Sequence, residues 1–187
     1  MVQFIKGITL KGRVEFVKRT YGNEALASIV RHVGGEIRHL VMDPRLIKAI
    51  SWYDFQVQQE LDKAICTHLA GGDEAIYFKM GAFNADFQEN TLAMSQAGDV
   101  MRYLRPQMTL YPRFFKPGRM DLIEISPTEV VLQSHLFKST HENCETNRGF
   151  IAQTITNCGA HDVDVVEVHC NSDPKNDYCE YKAKWKI

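Results

Sequence analysis

The hydrophobic period of this chain changes at Pro106, and that change constrains its fold more than any other feature. Before it, apolar residues recur at helical spacing. Leu10, Val14, Val17 and Tyr21 share one face, Gly22 stops the segment, and Asn23 caps a second one carrying Leu26, Ile29, Val30 and Val33. Gly34-Gly35 breaks that helix. After Asp43-Pro44 a longer pattern runs through Phe55, Val57, Leu61, Ala64, Ile65 and Leu69 to Gly71-Gly72. Asp73 then caps an amphipathic helix carrying Ile76, Met80, Phe83 and Phe87. A shorter helix around Val100, Met101 and Leu104 is expected to end before Pro106.

Beyond Pro106, a proline-punctuated aromatic stretch leads into Leu122 to Ile125 and Val130 to Phe137, which flank Ser126-Pro127-Thr128-Glu129 as a β-hairpin. Thr140 or Asn143 caps a helix with Phe150, Ile151 and Ile155 on its apolar side, closed by Gly159. Val163 to Cys170 and Cys179 to Ile187 form a second hairpin. In its last strand Tyr181, Ala183, Trp185 and Ile187 alternate with Glu180, Lys182, Lys184 and Lys186, the pattern of a sheet with one wet face. The expected class is α+β: a helical N-terminal layer over about 1–105, then ββαββ over about 118–187, with an antiparallel sheet packed against the helices. With no repeat or linker, 1–187 reads as one domain.

The 22 Lys and Arg balance 23 Asp and Glu, so nothing electrostatic favours direct nucleic-acid binding. No apolar run is long enough to span a bilayer. The charged N-terminus lacks the core of a signal peptide, and the C-terminus lacks a prenylation signal, so the expected compartment is the cytoplasm. At 187 residues the chain can bury a core without staples, so a metal needs its own argument.

The cysteines supply one. Cys144 and Cys158 stand 14 helical steps apart, roughly 21 Å, too far to share a ligand. An antiparallel strand from Val163 carries Cys170 back to the level of Cys144, and the hairpin sets Cys179 beside Cys170. Three thiols should therefore meet at one end of the sheet, with Cys66 and Cys158 apart. Three thiolates and a harder fourth ligand, Glu167 or His169, suit a closed structural zinc. Strand parity aims both fourth candidates at the opposite face unless a bulge intervenes. The same cysteines also read as small buried hydrophobes, or as a Cys170–Cys179 hairpin disulfide after oxidation.

The run Glu167-Val168-His169-Cys170, followed by Cys179-Glu180-Tyr181 and Trp185, resembles the closing motif of vinyl-4-reductase-type domains. Those domains resemble the haem–nitric-oxide-binding fold and subunits of the transport-protein-particle tethering complex. Lys6-Gly7-Ile8, Phe16-Val17 and Tyr21-Gly22-Asn23-Glu24-Ala25-Leu26 are similar to a myxobacterial-type paralogous set carrying such a domain. The resemblance implies zinc held by Cys144, Glu167, Cys170 and Cys179. It also implies an aromatic or acyl ligand in the stretch from Tyr77 to Phe115, where Phe78, Phe83, Phe87, Met101, Tyr103, Phe114 and Phe115 are the candidate lining. The competing reading is that these seven are core. The haem branch needs a proximal helical histidine and a Tyr-x-Ser-x-Arg motif, and the sequence offers neither.

No nucleophile-elbow, Walker, Rossmann or zinc-protease motif occurs, so the chain is not expected to be an enzyme. The leading expectation is a zinc-stabilised signalling domain binding a small apolar or aromatic ligand, with a protein partner and a homodimeric state. The alternative is a dimeric interaction scaffold, followed by a haem gas sensor.

Overall fold

The computed structural model describes residues 2–92 and 99–187. Its elements run β1 (Phe4–Lys6), α1 (Gly7–Tyr21), α2 (Asn23–Ile29), α3 (Gly35–Met42), β2 (Trp52–Asp54), α4 (Phe55–Leu69), α5 (Ala75–Leu92) and α6 (Val100–Leu110). They continue as β3 (Phe115–Lys116), β4 (Arg119–Ser126), β5 (Glu129–His135), α7 (His141–Asn157), β6 (His161–His169) and β7 (Cys179–Lys186). The class is α+β, with the expected helical layer and ββαββ order.

The antiparallel sheet has the order β4-β5-β7-β6, so the last strand lies between β5 and its own hairpin partner β6. Register sets Ser134 opposite Cys179, Leu132 opposite Tyr181 and Val130 opposite Ala183. The inward row of β7 follows: Cys179, Tyr181, Ala183 and Trp185 are buried, whereas Ile187 ends the row in solvent. On β6 a register shift falls between Glu167 and His169. Val166 and Val168 share the solvent face while Val165 is buried, as alternation requires, and the bulge then turns Cys170 away from the face expected for it, toward Cys144.

Three short strands and two helices differ from expectation. β1 lies between β2 and β3 in a second sheet, pairing Phe4 with Asp54 and with Lys116. Strands of two or three residues carry no readable period. α3 begins at Gly35, where a break was expected, because Gly34 in an extended conformation serves as its N-cap. α6 continues through Pro106 to Leu110. Arg102, Arg105 and Pro106 lie on its exposed side, where the carbonyl freed by the missing proline N–H can be hydrated.

Two apolar cores result. One gathers Leu10, Val17, Ile29, Leu61, Ile65 and Met80 among α1–α5; the other gathers Val130, Leu132, Ile155, Tyr181 and Trp185 beneath α6 and α7. α5 and α7 cross between them with almost no space. A Cβ on Gly81 would meet the Thr146 carbonyl, and one on Gly149 the Phe78 carbonyl. At the start of α7, Thr140 Oγ1 accepts from the Asn143 N–H at 3.3 Å. Thr140→Ala should lower stability by about 1 kcal/mol, measured by urea unfolding.

Candidate functional site

The first turn of α7 presents Cys144, the bulged end of β6 presents Cys170, and the start of β7 presents Cys179. The three sulfurs converge as expected: Cys144 Sγ lies 3.0 Å from Cys170 Sγ and 3.5 Å from Cys179 Sγ. Cys66 and Cys158 stand apart, one in each core. The Ser139 hydroxyl lies 3.3 Å from Cys144 Sγ, and the backbone N–H of Asn171 donates to Cys179 Sγ at 3.4 Å. The Cys144 thiol is held well above its ordinary value: the bond with Cys170 lowers it, but the bond with Cys179 and burial raise it more. The bond with Cys144, then burial, pushes Cys170 up. Glu167, expected among the thiols, bears on Cys144, whose thiol it helps to raise, and also groups with His141 and Glu145; one of its carboxylate oxygens is buried without a partner. His169, the other candidate fourth ligand, stands edge-on to Tyr178.

The second feature is an interior cavity of about 90 Å³ between the helical layer and the sheet. Its walls differ in character. Leu104 and Met108 of α6, Tyr111 beyond it, Phe115 of β3, Met120 of β4 and Leu132 of β5 make a mainly apolar side, interrupted by Gln107 of α6. Thr9 and Arg13 of α1, Gln58 of α4, Asn84 and Gln88 of α5 and Asn143 of α7 make a polar one. Arg13 is matched by Asp62, Nε to Oδ1 at 3.2 Å, with both side chains almost fully buried. Burial raises the Asp62 carboxyl above its ordinary value, against the lowering effect of Arg13. Tyr111 shares a 2.7 Å hydrogen bond with Ser134, and burial raises its phenol.

Two acceptors in this wall lack donors: Gln58 Oε1 and Asn84 Oδ1 are buried with no hydrogen-bond partner. The Gln58 orientation is fixed chemically. Its Nε2 faces Asn143 Oδ1 at 3.4 Å and the Asp62 carboxylate, both acceptors, so its oxygen is the end left over. Asn143 in turn donates to Ser139 Oγ at 2.9 Å. Asn84 Oδ1 presses against α1 at Gly12, where any Cβ would collide with it.

Of the seven expected lining residues, Phe114 and Phe115 line this cavity. Phe83 packs against Phe16 and Phe87 in the helical layer, and Phe78 lies under the Arg148 guanidinium. Met101 and Tyr103 pack against the second core. Positions 93–98 of that stretch lie outside the described residues. Sequence reasoning passed over the polar wall, although a signal existed. Thr9 and Arg13, and Gln58 and Asp62, are spaced by four on helix faces that are otherwise apolar.

No family model matches the chain, and no curated protein matches it. Solved structures do. One, from work on haem redox potential and protein-induced porphyrin distortion, has 15% identity and a TM-score of 0.76 over 98% of this chain and 96% of that one. The fold is that of H-NOX domains. An oxygen-binding H-NOX domain related to soluble guanylate cyclases, in its oxygen complex, gives 14% and 0.76 over 98% and 96%. The Fe(II) unliganded H-NOX protein from K. algicida gives 10% and 0.70 over 98% and 97%.

This likeness corrects the cofactor expectation. The solved neighbours are haem-binding domains, which points to haem rather than structural zinc for this fold.

The residues present nevertheless do not fit haem. None of the seven histidines, all among the described residues, lines the cavity. His32 and His68 stack on each other, His39, His141, His161 and His169 are exposed, and His135 sits by Asp121. Tyr111, the one phenol in the lining, is held neutral and bonded to Ser134. A volume of about 90 Å³ is also below the roughly 300 Å³ at which pockets for larger ligands begin.

Proposed function

We propose that this chain is a non-enzymatic, haem-free ligand-sensing domain that binds a small molecule in the cavity between its helical layer and its sheet. One observation carries this reading: two buried carboxamide oxygens, on Gln58 and Asn84, are left without donors in the wall of an interior cavity. A fold that only needed a core would fill that space with apolar side chains, because an unsatisfied buried acceptor costs about 1–3 kcal/mol. The likeness to ligand-binding H-NOX domains supports a sensor, and the histidine-free lining supports binding without iron. No described helix is long and apolar enough to cross a membrane.

Two measurements test the reading. Adding haemin to the purified chain should give the spectrum of free haemin, with no shifted Soret band and no stoichiometric saturation. A screen of small molecules by thermal shift should find compounds that raise the melting temperature with a saturable dependence on concentration. A one-to-one haem complex with an axially ligated spectrum would overturn the haem-free assignment. A screen without any stabilising compound would overturn ligand sensing.

A further inference from the structure

The cavity wall specifies a class of ligand, an inference that rests on the cavity being the binding site. We propose that it takes a small, neutral molecule with an amide or cyclic-urea edge, one that donates N–H groups.

Three features converge on this class. First, Gln58 Oε1 is an acceptor only, on a residue 1% exposed, so the ligand must donate. Diatomic gases and plain hydrocarbons have no donor to offer. The Gln58 oxygen cannot be exchanged for its nitrogen by rotating the amide, since that would set oxygen against Asn143 Oδ1 and Asp62. Second, among the described residues Arg13 is the one charged side chain in the lining, and Asp62 already neutralises it at 3.2 Å. A charged ligand would enter with no counter-charge, at a desolvation cost of several kcal/mol. Third, the opposite wall is mainly apolar and soft, with Met108, Met120 and Leu132. Polarizable thioethers there suit the flat, non-hydrogen-bonding face of a planar group.

Volume limits the size. About 90 Å³ is less than the roughly 150 Å³ of a cavity that holds benzene. An acyclic amide or a five-membered ring is the upper bound.

Matched pairs of probes test the proposal by calorimetry and thermal shift on the full chain. 2-Imidazolidinone carries two N–H groups beside a carbonyl; cyclopentanone has the same ring and carbonyl without donors. Acetamide and acetate match in size, but acetate is charged and has no N–H to donate. The expected result is saturable binding of 2-imidazolidinone and acetamide, with cyclopentanone and acetate at least about tenfold weaker. Gln58→Met, which removes the acceptor at similar length, should weaken 2-imidazolidinone about tenfold or more and narrow its advantage over cyclopentanone. Because Gln58 also bonds Asn143, a second measurement on the unaltered chain stands beside it: bound 2-imidazolidinone should show nuclear Overhauser contacts to the Met108 and Met120 methyl groups.

Equal binding of 2-imidazolidinone and cyclopentanone, or contacts to methyl groups away from this cavity, would overturn the ligand class. If instead only donor-free probes bind and their contacts fall on Met108 and Met120, the class fails and the cavity remains a ligand site. Failure of all four probes in a chain that the wider screen still stabilises also rejects the class alone. Failure of every compound rejects both readings, leaving a cavity of ordered water.

Discussion

Arg13→Met should destabilise the folded chain by about 3–5 kcal/mol, the largest effect expected of any single change in the cavity wall. Methionine keeps most of the side-chain length and removes the charge. The loss comes from what remains: Asp62, almost fully buried, keeps a carboxylate without its guanidinium. At roughly 2–4 °C per kcal/mol for a chain of this size, the melting temperature should fall by about 10 °C. The double change Arg13→Met with Asp62→Leu should recover most of that loss, because a buried pair replaced by apolar groups of similar volume is often neutral.

The pH dependence has a definite sign. Burial raises Asp62 above the ordinary 3.8, and Arg13 opposes the rise. A carboxyl raised in the folded state binds its proton more tightly there than in the unfolded chain. Its contribution to stability is therefore full below the unfolded value and is lost as pH rises through the folded one. Without Arg13 the folded value rises further and the loss grows. The deficit of Arg13→Met should be smaller at pH 5 than at pH 7.5, as read from urea unfolding at both. An equal deficit at the two values would mean that Asp62 is not the group left exposed by the change.

What could be read from the chain, and what could not, follows from the range of each signal. Alternation along Tyr181, Ala183 and Trp185 and helical spacing along Phe55 to Leu69 span many residues, so the class and the order of the larger elements were legible. So was the meeting of Cys144, Cys170 and Cys179, because strand rise and hairpin closure fix their level. Cys170 was expected on the face of Val166 and Val168, and a single bulge turns it to the side of Cys144 without leaving a mark in composition. β1, β2 and β3 were illegible because strands this short carry no period. Of the aromatic residues expected to line a cavity, Phe114 and Phe115 do line this one, whereas Phe83 packs against Phe16 and Phe78 lies under Arg148. An empty space is also marked by polar groups inside apolar stripes, as with Gln58 and Asp62, which a search for aromatic residues passes over.

The crossing of α5 and α7 ties stability to the cavity, and Gly149→Ala tests the link. A Cβ at this position meets the Phe78 carbonyl oxygen, a backbone atom within a helix that cannot swing aside as a side chain would. The helices must separate, at a cost of about 1–3 kcal/mol. Gly81→Ala meets the Thr146 carbonyl from the other side of the same crossing, so the double variant should lose less than the sum of its parts. Asn84 rides on α5, while Asn143 and Thr146 ride on α7, so separation widens the cavity between its polar groups. Gly149→Ala should therefore weaken 2-imidazolidinone while tightening a larger ring such as benzamide. Loss of stability with both affinities unchanged would separate the crossing from the cavity and confine the role of these glycines to packing.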